Sequence, residues 1–163
     1  MSLFFIVMKE GDVMNIENII DELEQQWKEC DSVYHSVAVK YDISDTAFWV
    51  LYILAKTETV CTQQDLCKKS FWAKQTINTA VSSMIKRNLI QLESIPGTRN
   101  QKQIVLTESG KEFVDHYMVP VVEKEICAYQ VLSDEELKLY LEMTKRLTAS
   151  VRSGFSELID GKE

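Results

Sequence analysis

The chain has 163 residues, of which 45% are hydrophobic, 9% aromatic and 26% charged, enough for one domain with a proper core and too few for two large ones. Five glycines and two prolines argue against long linkers, collagen-like repeats and turn-rich all-β folds. No apolar run approaches the roughly 18 residues of a membrane span, and the formal net charge of -7 speaks against a polyanionic partner until its distribution is read.

In chain order, the apolar start Leu3 to Met8 is too short for a secretory segment and has no basic stretch before it, so a cytoplasmic protein is expected. Met1-Ser2-Leu3 reads as readily as a vector remnant as a natural start, with Met8 and Met14 as alternative starts. From Ile16 to Tyr41 the apolar residues Ile16, Ile20, Leu23, Trp27, Cys30, Tyr34, Val37 and Tyr41 alternate at spacings of four and three, a heptad pattern that predicts a long helix with a narrow apolar seam. Ser44 caps a second helix through Ala55, apolar nearly all round and so expected to be a buried central element. Thr62 opens a short helix ending near Lys69, and after a turn at Ser70-Phe71-Trp72 a further helix runs from Lys74 to Arg87, with Ile77, Val81, Met84 and Ile85 as its apolar stripe. Asn88 is suited to a left-handed helix stop.

Ile90 to Ile95 and Gln103 to Leu106 predict two strands joined by the hairpin tip Pro96-Gly97-Thr98-Arg99-Asn100. Thr107 caps a helix carrying Phe113, Val114, Tyr117 and Met118, which Pro120 should kink or restart. Ser133-Asp134-Glu135-Glu136 is a capping box that opens a last long helix, with Leu137, Tyr140, Thr144, Leu147, Val151 and Leu158 in a register broken by Gly154 with Phe155 beside it. Such terminal seams pack on each other or on a second copy, and dimerisation is the preferred reading. Short helix, turn, polar-faced helix and basic-tipped hairpin follow one another in the order of a winged helix-turn-helix. The expected class is mainly α with a small β-hairpin wing and long N- and C-terminal dimerisation helices.

The charge is uneven. Between Thr62 and Lys111 stand eight basic residues (Lys68, Lys69, Lys74, Lys86, Arg87, Arg99, Lys102 and Lys111) against three acids, a formal +5, while the remainder carries ten basic and twenty-two acidic residues, or -12. From Leu66 to Leu92 there is no carboxylate. A basic middle between acidic arms fits a module that faces a polyanion; charge alone fits a solvated helix face equally well. The helix after Trp72 decides between them. Away from its apolar stripe it offers Lys74, Gln75, Thr76, Asn78, Thr79, Ser82, Ser83 and Lys86: amides, hydroxyls and cations. Gln and Asn pair bidentately with adenine in a major groove, and Thr presents a methyl group to thymine. Helical spacing puts Gln75, Asn78, Thr79 and Ser82 on one exposed face. Arg99, with Lys102 behind it, suits a minor-groove or phosphate contact, and the helix beginning at Thr62 and Gln63 offers amides to a phosphate as well as a simple cap.

With these residues in place the sequence resembles the MarR family of transcriptional regulators over nearly its whole length. The resemblance rests on Ile43-Ser44-Asp45-Thr46-Ala47-Phe48-Trp49-Val50-Leu51, Lys74-Gln75-Thr76-Ile77-Asn78, Lys86-Arg87-Asn88-Leu89-Ile90, Arg99, Ile104-Val105-Leu106-Thr107-Glu108-Ser109-Gly110 and Leu132-Ser133-Asp134-Glu135-Glu136-Leu137. It implies a homodimer built from the terminal helices and a double-stranded DNA partner, with each recognition helix in a major groove and each wing in the flanking minor groove. The operator it implies is an inverted repeat with half-sites about one helical turn, ~10–10.5 bp, or a multiple apart. It also implies a small-molecule effector that releases DNA, and a repressor. The divisions expected are a dimerisation helix over 1–43, a DNA-binding region over 44–111 and C-terminal dimerisation helices over 112–163, all parts of one compact chain. The sequence departs from the family at Phe71 and Asn88, where glycine is common, at Thr98, where an acid often precedes the wing arginine, and at Thr79, where many members carry Arg.

The remaining candidates point elsewhere. Trp27, Tyr34, Trp49, Tyr52, Trp72 and Tyr117 sit at helical spacings that fit a core better than a ligand pocket. The four cysteines, Cys30, Cys61, Cys67 and Cys127, have no paired spacing and read as reduced thiols, with Cys30 expected to be buried on the seam. The two histidines, His35 and His116, have no ligand spacing around them, so no metal and no cofactor are expected. No nucleophile elbow, phosphate-cradling loop or metal signature is present, and an enzyme is not expected. The alternatives are a protein-interaction module on a winged-helix fold and a thiol- or metal-responsive regulator.

Overall fold

The computed structural model describes residues 15–57 and 59–161, so the readings of Leu3 to Met8 and of the starts at Met1, Met8 and Met14 lie outside the described residues. Helix α1 (Ile16–Lys40) begins at Asn15, whose side-chain oxygen accepts from the N–H groups of Glu17 and Asn18. Ser44 caps α2 (Asp45–Ala55) by accepting from Ala47 N–H at 3.2 Å. Phe48, Val50 and Leu51 of α2 are fully buried, as a helix apolar on nearly every face requires. Helices α3 (Gln63–Ser70) and α4 (Lys74–Lys86) follow, and α4 packs its Ile77–Val81–Met84 stripe against α2 and α3. Strands β1 (Ile90–Ser94) and β2 (Lys102–Leu106) pair antiparallel from Ile90↔Leu106 to Ser94↔Lys102.

By packing, the chain forms two units, one ending at Gly110 and one beginning at Lys111. In the first, two ties join the end of α1 to its neighbours. His35 Nδ1 lies 2.9 Å from an Asp45 carboxylate oxygen, and Arg87 Nη1 donates to the Asp42 carbonyl at the end of α4. The turn after α4 is locked by a backbone motif. Asn88 takes φ +57°, Thr107 donates its hydroxyl to the Asn88 carbonyl, and Thr107 Oγ1 accepts from Gly110 N–H at 3.0 Å. Thr107 thereby caps α5 (Glu108–Phe113) as its sequence position predicts. A Cβ at Gly110 would stand 1.7 Å from the Leu89 carbonyl oxygen, so the backbones meet there because no side chain intervenes.

The helix from Thr107 does not run uniformly to Pro120. It passes through a π-helical stretch, Val114–Met118, before α6 (Val119–Tyr129), where Pro120 occupies a first-turn position that needs no N–H. Ser133 caps α7 (Asp134–Asp160) through the expected box: its hydroxyl accepts from Glu136 N–H at 3.3 Å and its N–H donates to Glu136 Oε2 at 2.8 Å. Gly154 interrupts the apolar register but not the helix, and α7 continues through it. A single glycine costs a helix only about 1 kcal/mol, which a helix of 27 residues absorbs. Among the described residues no helix is long and apolar enough to cross a membrane.

Only the C-terminal end of the α1 seam is covered, at Tyr34, Val37 and Tyr41. Tyr34 lies on Phe48 and Trp49, with ring centroids 6.0 and 4.9 Å apart. The rest is not: Ile16, Ile20, Leu23 and Trp27 are exposed, Trp27 by 53%. Cys30 is exposed with them, contrary to the burial its seam position predicts, because no described residue of this chain covers that stretch. Tyr140, Leu147, Val151, Phe155 and Leu158 form a comparable exposed stripe on α7.

Candidate nucleic-acid interface

Helix α4 buries Ile77, Ala80, Val81 and Met84, and that stripe turns its polar residues outward. Gln75, Asn78, Thr79, Ser82, Ser83 and Lys86 line one shallow groove of about 390 Å³ along the helix. The four residues assigned to one face from helical spacing therefore share a surface. Ser83 and Lys86 belong to the same groove and stand outside the set singled out from sequence; their spacing from Thr79 and Ser82 was the available signal. Lys74 and Thr76 are exposed on the first turn and do not line the groove.

The groove's amides are partly organised. Gln63 Nε2 donates to Asn78 Oδ1 at 3.2 Å, so the start of α3 holds the Asn78 amide. Asn78 Nδ2 then offers two donors, and its oxygen keeps one lone pair. Thr79 donates its hydroxyl to the Gln75 carbonyl at 3.0 Å, which leaves its methyl and the acceptor lone pairs of its oxygen for other contacts.

Thr62 has a different assignment. Its hydroxyl accepts from Asp65 N–H at 3.2 Å and donates to Asp65 Oδ2 at 2.7 Å, while its own N–H donates to the same carboxylate at 3.0 Å. This capping box holds the Asp65 carboxyl below the usual carboxylate range, the Thr62 hydroxyl contributing most. Of the two roles open to Thr62, these hydrogen bonds show the cap. An isolated bridge between Thr62 and Gln103, with Ile104 N–H donating to the Cys61 carbonyl at 2.8 Å, ties the two-stranded hairpin to the residues before α3. The wing is thereby fixed to the start of α3. Burial pushes the Cys61 thiol up, which keeps it protonated and inert.

At the wing tip, Pro96 precedes Gly97 at φ +78°, and Thr98 N–H donates to the Ile95 carbonyl at 3.2 Å, the pattern of a type II turn. The Thr98 hydroxyl donates to the same carbonyl at 2.8 Å. Where an acid would stand, a hydroxyl therefore shapes the turn that presents Arg99. Arg99 and Lys102 are both exposed, as are the other six cations of the basic segment.

The turn before α4 departs from local preference. Phe71 closes α3 at φ +58°, where a bulky L-residue costs about 1–2 kcal/mol, and its side chain is 87% exposed. Ala73, at the N-cap of α4, makes no side-chain cap bond, and Lys74 brings a positive charge to the positive end of the helix. Among the described residues no group of three or more His, Cys, Asp or Glu side chains converges to hold a metal ion.

Comparisons with known proteins bear on this arrangement. Residues 41–99 match the MarR family. No curated protein matches the chain. Among solved structures, the MarR family regulator NMB1585 from Neisseria meningitidis is 22% identical, covering 85% of this chain and 96% of its own, with a TM-score of 0.70. A MarR family regulator from Listeria monocytogenes, solved in complex with a 26mer DNA, is 13% identical over 96% of this chain and 98% of its own, with a TM-score of 0.68. Bordetella bronchiseptica BpsR, whose DNA binding is regulated by 6-hydroxynicotinic acid, is 16% identical over 85% of this chain and 98% of its own, with a TM-score of 0.63. These likenesses show the fold: a winged helix-turn-helix followed by C-terminal helices.

Proposed function

We propose, from a winged-helix region that belongs to the MarR family, that this chain is a DNA-binding transcriptional regulator that works as a homodimer, reads an inverted-repeat operator and represses by occupancy. The observation that carries the reading is the groove on α4, lined by amides, hydroxyls and a lysine within a stretch free of carboxylates. Donors and acceptors of this kind match base edges in a major groove, and the exposed cations around them match phosphates. The uncovered apolar stripes of α1 and α7 supply what a second copy would bury. Two copies related by a two-fold axis would address two half-sites.

A small-molecule effector is part of the proposal. Its support is the regulation of the Bordetella protein by 6-hydroxynicotinic acid. No catalytic step is proposed.

The test is selection of bound duplexes from a random pool, followed by gel shift of the enriched sequence and of DNA flanking the chain's own gene. Enrichment of an inverted repeat supports the reading. The absence of any retarded band at low salt would overturn it and leave a protein-interaction module on the same fold. Release of the enriched duplex by small aromatic acids tests the effector.

A further inference from the structure

The turn between α3 and α4 carries a residue the fold itself does not need. Phe71 holds a left-handed backbone conformation that glycine would adopt without strain, and it leaves an aromatic ring 87% exposed to water. Each feature is unfavourable to the isolated chain. Strained residues that the surroundings maintain concentrate where a partner is met. The surroundings name that partner's chemistry. Lys68 and Lys69 end α3, Lys74 begins α4, all three are exposed, and no carboxylate occurs from Leu66 to Leu92. An apolar ring framed by cations fits a polyanion that also shows apolar groups. Duplex DNA does so through the thymine 5-methyl in its major groove.

Position is consistent with this. Phe71 is three residues from Lys74, at most about 11 Å of chain, and the N-terminal end of a recognition helix is the part brought to base edges. Resting on the DNA-binding reading above, we infer that Phe71 is a specificity-determining residue whose ring lies against a thymine methyl at the edge of each half-site.

The experiment compares wild type, Phe71→Ala and Phe71→Gly on the enriched duplex made with thymidine or with deoxyuridine, which lacks the methyl. Wild type is expected to prefer the thymidine duplex several-fold, and both variants to lose most of that preference while remaining dimeric by sedimentation. Phe71→Gly should also melt above Phe71→Ala, because only glycine relieves the backbone. A thymidine preference unchanged in both variants would overturn the inference. So would dissociation of either variant into monomers, which would assign the ring to a subunit contact. Failure of wild type to enrich any duplex is a separate result: it removes the DNA-binding reading itself.

Discussion

Thr62 and Asp65 satisfy each other at the start of α3, and the cost of separating them is readable in two ways. Removing an N-cap hydroxyl costs about 1 kcal/mol, so Thr62→Ala is expected to lower the melting temperature measurably. The folded-state pKa of Asp65 is depressed, as is that of Glu136, held low first by the Ser133 backbone N–H and then by its hydroxyl. A depressed carboxylate stabilises the fold above its unfolded value, about 3.9 for Asp and 4.3 for Glu, and that contribution is lost as pH falls through the folded value. Thermal melts across pH 2–6 should therefore fall at the acid end, and less steeply in Thr62→Ala than in wild type. Equal slopes would remove the Thr62–Asp65 pair as a contributor.

Asn78 lines the groove and Gln63 does not, and the two differ in kind. On the proposed reading, Asn78→Ala removes an amide that pairs with a base and should cost the enriched duplex about 1–3 kcal/mol of discrimination, a factor of roughly 5 to 150. Gln63→Ala removes only the hydrogen bond that holds that amide, and should cost a few-fold. Lys102→Ala should weaken enriched and random duplexes alike and flatten the salt dependence by about one counterion. Equal losses on both duplexes from Asn78→Ala would take the recognition role away from α4.

At the scale of elements, the sharpest constraint lies where α5 begins. A methyl group at position 110 meets the Leu89 carbonyl oxygen at 1.7 Å, and both partners are backbone. Gly110→Ala is expected to cost about 1–3 kcal/mol, the range of overpacking, seen as a drop in melting temperature, whereas Gly154→Ala meets nothing within 4 Å and should be tolerated. The elements themselves were largely legible. Ser44, Thr62, Thr107 and Ser133 announce four helices because capping chemistry is local, and the four-and-three spacing of α1 and the apolar stripe of α4 follow from helix geometry. Asn88 ends α4 in the left-handed form expected of it. What was not legible depends on contacts distant in sequence. The Thr62–Gln103 bridge joins residues forty-one positions apart and the Gln63–Asn78 bond joins two helices, while Pro120 marks an irregularity before α6 without saying that it takes π-helical form. The predicted burial of Cys30 failed for a related reason: seam spacing says that a residue faces something apolar, not that the same chain provides it.

For the whole molecule, the apolar stripes and the charge pattern make separate demands. A chain with Leu23 and Trp27 of α1 and Leu147 and Val151 of α7 uncovered is expected to sediment as a dimer. Leu147→Glu should shift it towards monomer and weaken the enriched inverted repeat far more than a single half-site, since linked half-sites gain from effective concentration. A Leu147→Glu protein that stays dimeric at low concentration would remove α7 from the interface.

The eight exposed cations between Lys68 and Lys111 sit in a molecule whose total formal charge is -7. Such a particle has no single electrostatic personality, because a resin samples the nearest patch rather than the sum. At neutral pH it should be held by a quaternary-amine column through its acidic regions and by a sulfated-polysaccharide column through its basic one. The two retentions should part company when Arg99 and Lys102 are neutralised, the second eluting earlier while the first tightens. A purification trace would then display the division of labour written along the chain.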